Sequence, residues 1–352
     1  MIKLFNCAIP SYYRDGIDTI FDDGNLASGD FVKDLEIAMG QIYQMDCITF
    51  SDMTTALLQL FKSLNLMAGD KVLCHPFCCL STSMAIKLAG LNVEWIQFDP
   101  SALCLDIKSL QKRISDAKVL LNYNVSGFLP DLRLVEQLCK ENDVIFINDC
   151  NNSEISKSMG KFSVQYGDYS VTSFYPNRTF GAIDGAAILS SKSSLGVLRK
   201  YQRLGISKEE YRQTNGLFNP KHDVNVLAGS NNMSNISAKL ILNKLKFFDT
   251  IVTQKRKMFE VIADELKEVT ISPDGVNEIV PWVMPIFVND CTAFHEKMLN
   301  MGIETTELHF DNSQYSVFGG NDDGIPPSNL MWVPFDPRIL QYSEEIIYHA
   351  KK

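Results

Sequence analysis

The sequence predicts an α/β protein in which a mostly parallel sheet, covered by helices on both faces, is followed by a smaller α+β domain. The main observation is that short apolar runs, typical of buried strands, alternate with amphipathic helical segments over residues 53–149. The length agrees with this, because 352 residues correspond to about two domains of ~150 residues. Apolar residues make up 45% of the chain and charged residues 21%, which is enough to bury a sizeable core.

The first helix of the alternation is predicted over residues 53–66, where apolar side chains recur on one helical face. Gly69 and Asp70 end this unit. The segments that follow are predicted as a strand at 71–77, a helix at 79–89, a strand at 93–98, a helix at 106–117, a strand at 119–124, a helix at 131–141, a strand at 144–147 and a strand at 169–175.

The second half of the chain has a different pattern. Residues 205–229 are polar and rich in turn-forming residues, so we expect a loop there. A long amphipathic helix is predicted over 235–266 and a strand over 282–288. We therefore expect a large domain over residues 1–240, and a long helix with a small C-terminal domain over residues 241–352.

Composition excludes several classes of protein. The 42 acidic residues outnumber the 33 basic ones, which gives a net charge of −9, whereas nucleic-acid-binding proteins normally show a basic excess. No apolar run approaches the ~18 residues that span a membrane, and the first residues lack the apolar core of a signal peptide.

The nine cysteines are odd in number and lie mostly in apolar segments, which indicates reduced thiols in a cytoplasmic protein. The cysteines at 74–79 match no zinc-binding spacing, so packed thiols are favoured over a metal site.

Three places at predicted strand ends could carry chemistry, because open α/β sheets bind ligands at the carboxyl ends of their strands. Residues 51–55 begin a helix that could hold a phosphate, although Asp52 as a simple N-cap is favoured. Asp149 could pair with a cationic ring nitrogen or a metal, and could equally cap the next turn. Arg178 follows the strand at 169–175 and could bind an anion, but an exposed loop arginine is the simpler interpretation.

Ordered motifs along nearly the whole chain carry a resemblance to a known family. They include Thr54-Thr55-Ala56-Leu57, Gly69-Asp70-Lys71-Val72, Gly127-Phe128-Leu129-Pro130-Asp131, Ile147-Asn148-Asp149-Cys150-Asn151-Asn152 and Ser173-Phe174-Tyr175-Pro176. In order and spacing they resemble the DegT/DnrJ/EryC1/StrS sugar aminotransferases, which use pyridoxal phosphate (PLP). The resemblance implies a fold-type-I PLP-transferase large domain with a mixed or mostly parallel seven-stranded sheet. It also implies a dimer, because this family builds its site at a dimer interface.

The resemblance assigns a special role to the position of Arg178. In this family the last residue of Ser-Phe-Tyr-Pro-x-Lys is the lysine that forms the Schiff base with PLP, and Arg178 stands there instead. A guanidinium, with a pKa above about 12, stays charged and cannot form that bond. It can still bind a phosphate or a carboxylate.

The resemblance also implies a set of cofactor-binding positions. Asp149 would meet the pyridine nitrogen, and Thr54 and Ser173 the phosphate. The remaining cofactor-binding positions are Met53, Cys79, Asn152 and, from the partner subunit, Asn231.

Several of these positions depart from the family pattern. Met53 replaces a glycine, which hinders close approach of a ligand to the backbone. Asp52 would compete with a phosphate for the same N–H groups. Asn152 is one methylene shorter than the usual glutamine, and Cys79 replaces a residue that often stacks on the pyridine ring. The departures together indicate a remodelled site.

These observations leave two main functional hypotheses. The favoured one is a nucleotide-sugar aminotransferase-like protein without ordinary transaminase activity, that is, a pseudoenzyme or a sugar-nucleotide binder. The alternative is an active aminotransferase or dehydratase that uses PLP or pyridoxamine phosphate (PMP) on a nucleotide-linked keto-sugar. That alternative needs another base, such as histidine, and no histidine lies in the matching motif. An engineered lysine-to-arginine exchange would explain Arg178 but not the other departures.

The expected ligands and partners follow from the same resemblance. The cofactor is PLP or PMP, held without a covalent bond, or else none. The small-molecule ligand is a nucleotide sugar, and the protein partner is a second copy of the chain or an active paralogue. We expect no nucleic-acid and no membrane partner.

Overall fold

A computed structural model describes residues 1–192, 195–207, 210–271, 277–320 and 329–352. The strands are β1 (Asp46–Phe50), β2 (Lys71–Cys74), β3 (Asn92–Trp95), β4 (Phe98–Asp99), β5 (Cys104–Leu105), β6 (Val119–Tyr123), β7 (Ile145–Asp149), β8 (Lys157–Ser158), β9 (Lys161–Phe162), β10 (Tyr169–Ser173), β11 (Ala186–Ser190), β12 (Asn277–Glu278), β13 (Met284–Phe287) and β14 (Leu330–Val333). The helices are α1 (Asp18–Asp23), α2 (Asp30–Tyr43), α3 (Met53–Ser63), α4 (Leu80–Leu88), α5 (Ile107–Arg113), α6 (Leu132–Glu141), α7 (Gly196–Gln202), α8 (Asn235–Leu245), α9 (Phe248–Glu265), α10 (Cys291–Asn300) and α11 (Ser343–Ala350).

A seven-stranded sheet lies at the centre of the fold, in the order β1-β11-β10-β7-β6-β2-β3. Strands β10, β7, β6, β2 and β3 are parallel, whereas β11 is antiparallel to both β1 and β10. Every residue of β6 is buried, as expected for a strand in a parallel sheet covered on both faces. The mostly parallel sheet and the alternation of strands and helices confirm the predicted fold class.

Two apolar clusters cover the two faces of this sheet. In β11, Ala186 and Ile188 belong to one cluster, whereas Ala187 and Leu189 belong to the other, because successive side chains of a strand point to opposite faces. Helices α3 and α4 contribute to the first cluster, and α2 and α8 contribute to the second. The central sheet is therefore packed by helices on both faces.

Parallel pairing brings the ends of two strands together. Strand β7 ends at Asp149 and its neighbour β10 ends at Ser173, with Val171 paired to Asp149. The carboxyl ends of these strands therefore lie at one edge of the sheet, where a ligand site is expected.

One predicted element is wrong in its extent. The segment 235–266 is not one helix, because α8 ends at Leu245 and α9 begins at Phe248. The break turns Phe248 into the second cluster, where it stacks on Phe180 with ring centroids 5.4 Å apart and meets Tyr43 edge-on. The apolar period is nearly continuous across the break, so the pattern alone does not reveal it.

The C-terminal part contains an antiparallel pair, β13 and β14, with α10 and α11. Strand β13 lies within the predicted strand 282–288, and the buried Trp332 of β14 belongs to the first apolar cluster. The domain boundary at residue 240 falls inside α8 and stays a prediction. Within the described ranges, no helix is both long enough and apolar enough to cross a membrane.

Candidate functional site

A cavity of about 600 Å³ opens at this edge of the sheet, beside the start of α3. Most of the residues predicted for the site line it, namely Met53, Thr54, Cys79, Ser173 and Arg178. Asp149 and Asn152 are buried beside it, joined by hydrogen bonds to residues that line its wall. Asn231 is not among the lining residues that the structure describes.

Arg178 is half-buried, so its interpretation as an exposed loop arginine is wrong. Its guanidinium lies 4.1 Å from the ring centroid of Trp282, and the Phe5 ring stacks on Trp282 with centroids 4.7 Å apart. Its Nη1 donates a hydrogen bond to Asn152 Oδ1. Trp282 is itself held, because its Nε1 donates to the carbonyl of Asn177 at 2.8 Å. The charge of Arg178 is therefore fixed at the cavity wall.

Asp149 is completely buried, and both of its carboxylate oxygens are already bonded. Thr82 Oγ1 donates to Oδ2 at 2.7 Å, while Asn151 donates to Oδ1 from its backbone N at 3.1 Å and its side-chain Nδ2 at 2.7 Å. Burial raises the pKa of Asp149 to about 6, although these hydrogen bonds and the charge of Arg178 oppose the shift. Of the two predicted roles, the structure shows the cap of the next turn.

The start of α3 is occupied by an acidic side chain. Asp52 accepts from Thr55 N at 2.8 Å, from Thr55 Oγ1 at 2.7 Å and from Ser51 Oγ at 2.8 Å. The prediction of Asp52 as the N-cap is therefore confirmed. Burial raises the pKa of Asp184, another cavity residue, and the nearby charge of Asp52 adds to this effect. This end of the cavity is acidic, which disfavours an anion.

These contacts test whether the residues fit PLP. Asn151 donates to the carboxylate that would meet a pyridine nitrogen, and Asp52 accepts from the N–H of Thr55 in the first turn of the helix that would meet the phosphate. The position assigned to the Schiff-base lysine carries Arg178. The residues therefore do not fit PLP at its aldehyde, and at its ring nitrogen and phosphate Asn151 and Asp52 compete with the cofactor for the same groups.

A hydrogen-bonded chain at the cavity includes residues that the sequence did not reveal. Asn152 Nδ2 donates to Tyr123 OH at 2.5 Å, and Tyr123 OH lies 2.9 Å from His309 Nε2. His309 lines the cavity, and burial together with the charge of Arg178 lowers its pKa to about 3. His309 lies four residues after Gly302-Ile303-Glu304-Thr305, a segment that resembles the family's Gly-Ile-x-Thr, and this proximity is the signal that could have found it.

Three other predicted positions, Cys79, Ser173 and Asn231, have hydrogen-bond partners within the protein. Cys79 Sγ accepts from Ser81 Oγ at 3.1 Å, and the Ser173 hydroxyl accepts from Tyr175 N at 3.2 Å. Asn231 uses its amide to donate to the carbonyl of Tyr201 at 2.7 Å. Its predicted contribution to a partner's site stays a prediction.

Curated relatives act on nucleotide sugars. The chain is 22% identical over 266 residues to a GDP-perosamine synthase of Escherichia coli O157:H7, which covers 74% of this chain and 70% of that protein. It is 24% identical over 260 residues to a UDP-2-acetamido-2-deoxy-3-oxo-D-glucuronate aminotransferase of Pseudomonas aeruginosa, covering 73% of this chain and 69% of that protein.

Solved structures show the same fold. The E. coli GDP-4-keto-6-deoxy-D-mannose-3-dehydratase, whose structure contains bound hydrated PLP, superposes with a TM-score of 0.85 at 16% identity, over 99% of each chain. The sequence model of the DegT/DnrJ/EryC1/StrS aminotransferase family matches residues 13–322, which is most of the chain. This chain therefore belongs to the DegT/DnrJ/EryC1/StrS aminotransferase family.

Proposed function

We propose that this protein binds a nucleotide-linked sugar in the cavity and has no ordinary transaminase activity. The observation that carries the proposal is the placement of Arg178, held by Asn152 and Trp282 at the position that the family resemblance assigns to the Schiff-base lysine. A guanidinium stays charged at every physiological pH, so it neither attacks an aldehyde nor accepts a proton.

Two further features support loss of the usual cofactor chemistry. Asn151 donates to the carboxylate of Asp149, and Asp52 takes the N–H of Thr55 at the helix start where a phosphate would bind. Each feature competes with a different contact of PLP. The site is therefore remodelled at several points at once, which a single exchange at position 178 does not produce.

The cavity nevertheless has the properties of a small-molecule site. Its volume of about 600 Å³ lies within the range of ligand pockets. It offers carboxylate acceptors at Asp52 and Asp184 and a charged donor at Arg178. Sugar hydroxyls suit the acceptors, and an acidic ligand group suits the donor. The nucleotide-sugar ligands of the relatives support this class of ligand.

Calorimetric titration tests the proposal. The purified protein is titrated with GDP-mannose, UDP-glucose, UDP-glucuronate and dTDP-glucose. Amino transfer from glutamate to GDP-4-keto-6-deoxymannose is measured in parallel with added PLP. We expect saturable binding of at least one nucleotide sugar, weakened in Arg178→Ala and unchanged in Arg133→Ala, an exposed arginine of α6. Amino transfer at a rate that depends on added PLP would refute the proposal, as would the absence of any binding.

A second candidate function is a cofactor-dependent reaction on a keto-sugar nucleotide through a non-standard site. The observation that favours it is His309, a neutral imidazole at the cavity wall. Turnover of GDP-4-keto-6-deoxymannose with added PMP, lost in His309→Phe, would favour this function over the first. We further propose that the chain forms a homodimer, or a heterodimer with an active paralogue, which light scattering of the purified protein tests.

A further inference from the structure

We propose that Arg178 fixes His309 as a neutral imidazole with its proton on Nδ1, and that these two side chains together bind one negatively charged oxygen of the ligand. The inference rests on the proposed function, because it concerns the ligand of the same cavity. It assigns to Arg178 and His309 binding roles in place of the chemistry that a lysine would perform.

The first step is the direction of the hydrogen bonds. A guanidinium can only donate, so the atom of Asn152 that faces Arg178 must be the acceptor Oδ1. The amide Nδ2 of Asn152 then points at Tyr123 OH, 2.5 Å away, and donates to it. Arg178 therefore sets the donor-to-acceptor direction of this series of hydrogen bonds.

The second step carries this direction to the histidine. Since Tyr123 OH accepts from Asn152, its own proton is available for His309 Nε2 at 2.9 Å. Nε2 is then an acceptor, so a neutral His309 must carry its proton on Nδ1. In the described part of the chain, Nδ1 has no hydrogen-bond partner and is not shut off from the cavity. It is therefore available as a donor to a ligand.

The backbone and the packing hold His309 in this position. Its φ is +60°, in the left-handed region that few residues other than glycine adopt. Such strained residues cluster at functional sites, where the surroundings impose them. The ring meets Tyr123 at 5.1 Å and Phe77 at 5.8 Å between centroids, both nearly edge-on, so it has little freedom to turn.

The donors define the chemistry of the ligand. Within the described residues Arg178, which lines the cavity, donates only from Nη1, and its buried Nε has no partner. Arg178 and His309 together offer two N–H donors and a single positive charge, which suits a phosphate or carboxylate oxygen. Asp52 and Asp184, which also line the cavity, repel an anion from their own end. The acidic group of the ligand is thereby directed to Arg178.

Nitrogen NMR on protein labelled with ¹⁵N-histidine tests the tautomer directly. The His309 signals are assigned by their loss in His309→Gln, and His349→Gln, in the C-terminal helix, is the matched control. We expect Nδ1 protonated and Nε2 unprotonated in the wild type, and a mixture of tautomers in Tyr123→Phe and Arg178→Ala. A proton on Nε2 in the wild type, or a tautomer unchanged in both variants, would overturn the proposal.

The ligand half of the proposal is tested with two simple anions as probes. Inorganic phosphate and glucuronate are titrated separately, and the signals of His309 and of the Arg178 side chain are followed. A saturable shift of both signals with phosphate alone identifies a phosphate oxygen, and a shift with glucuronate alone identifies a carboxylate. If neither anion moves both signals together, the shared anion site is refuted.

Binding strength gives an independent readout. Where one anion binds, His309→Phe should weaken it about tenfold, as expected for loss of one hydrogen bond to a charged group. Failure of this inference is distinguishable from failure of the proposed function. Amino transfer would refute the function without touching the tautomer, whereas a wrong tautomer leaves nucleotide-sugar binding intact.

Discussion

Asn151 donates two hydrogen bonds to one carboxylate oxygen of Asp149, from its backbone N at 3.1 Å and from its side chain at 2.7 Å. Residues 147–152 resemble the family motif Ile-Glu-Asp-Ala-Ala-Gln, in which Asn151 stands in the place of an alanine without a side-chain donor. The other polar atom of the Asn151 side chain, Oδ1, is buried and has no hydrogen-bond partner in the described residues. The pair thus closes the carboxylate off from the cavity.

Removing the Asn151 side chain, which bonds to the Asp149 carboxylate, should expose that carboxylate to the cavity. In Asn151→Ala, Asp149 loses its side-chain donor and gains access to the cavity, so PMP should bind more tightly than to the wild type, by about tenfold. Asn300→Ala, at the end of α10, is the control and should leave PMP binding unchanged. Tryptophan fluorescence measures the affinity. Equal affinities of Asn151→Ala and the wild type would show that the Asn151 side chain does not limit binding.

Asp52 has two effects that can be separated by the choice of substitution. Asp52→Ser keeps a good N-cap and removes the negative charge, so it should leave the free energy of unfolding within about 0.5 kcal/mol and improve binding of inorganic phosphate. Asp52→Ala should lower the free energy of unfolding by about 1 kcal/mol, because Thr55 N loses its acceptor. Urea denaturation measures the stability. A stability loss for Asp52→Ser as large as that for Asp52→Ala would contradict the capping role.

Buried carboxyls should make stability depend on pH. Burial raises the pKa of Asp149 to about 6 and that of Glu154 to about 7, above their ordinary values of 3.8 and 4.5. Between about pH 4 and pH 7 these two carboxyls therefore bind more protons in the folded protein than in the unfolded chain, so their contribution to stability falls as the pH rises through this window.

Asp149→Asn tests this pH dependence. The amide does not ionise, and it can pair with Thr82 and Asn151, so at pH 7 this variant should be more stable than the wild type by about 1–3 kcal/mol. The difference should shrink toward about pH 4, where the carboxyl of the folded wild type is protonated. Asp143→Asn, at an exposed position, should show no such trend. Urea denaturation at a series of pH values measures it, and a constant difference would contradict the shift.

Trp282 should report on the cavity. Its ring contacts both the guanidinium of Arg178 and the ring of Phe5, so a ligand that binds Arg178 should change its fluorescence. The change should vanish in Trp282→Phe and persist in Trp95→Phe, because Trp95 packs on Phe318 outside the residues that line the cavity. A ligand-induced change that survives in Trp282→Phe would place the reporter elsewhere.

The sequence was sufficient for the architecture because the apolar pattern follows local geometry. Buried strands such as β6 begin with a continuous apolar run, here residues 119–121. Asp52, Asp106, Asp131 and Asp290 all mark helix starts by accepting from a backbone N–H. The break between α8 and α9 could not be found this way. It depends on Phe248 packing against Phe180, which is distant in sequence.

The candidate site was predicted in part for a similar reason. Met53, Thr54, Cys79, Ser173 and Arg178 were placed by a resemblance to ordered motifs, and they line one cavity. His309 and Tyr123 belong to no such motif, and they meet only because β6 and the segment after α10 come together in the fold. The hydrogen bond from the Asn151 side chain to Asp149 was also missed, because such a contact between near neighbours leaves no periodic pattern in the sequence.

The central claim is that this cavity has exchanged its cofactor site for a sugar-nucleotide site. An absorbance titration of the wild type with PLP and with PMP, alongside Asp149→Ala and Arg178→Lys, tests it most directly. The account predicts no saturable binding of either cofactor to the wild type in the micromolar range, and no spectrum of lysine-bound PLP in Arg178→Lys while Asn151 and Asp52 remain. Saturable micromolar binding to the wild type that is lost in Asp149→Ala would contradict it.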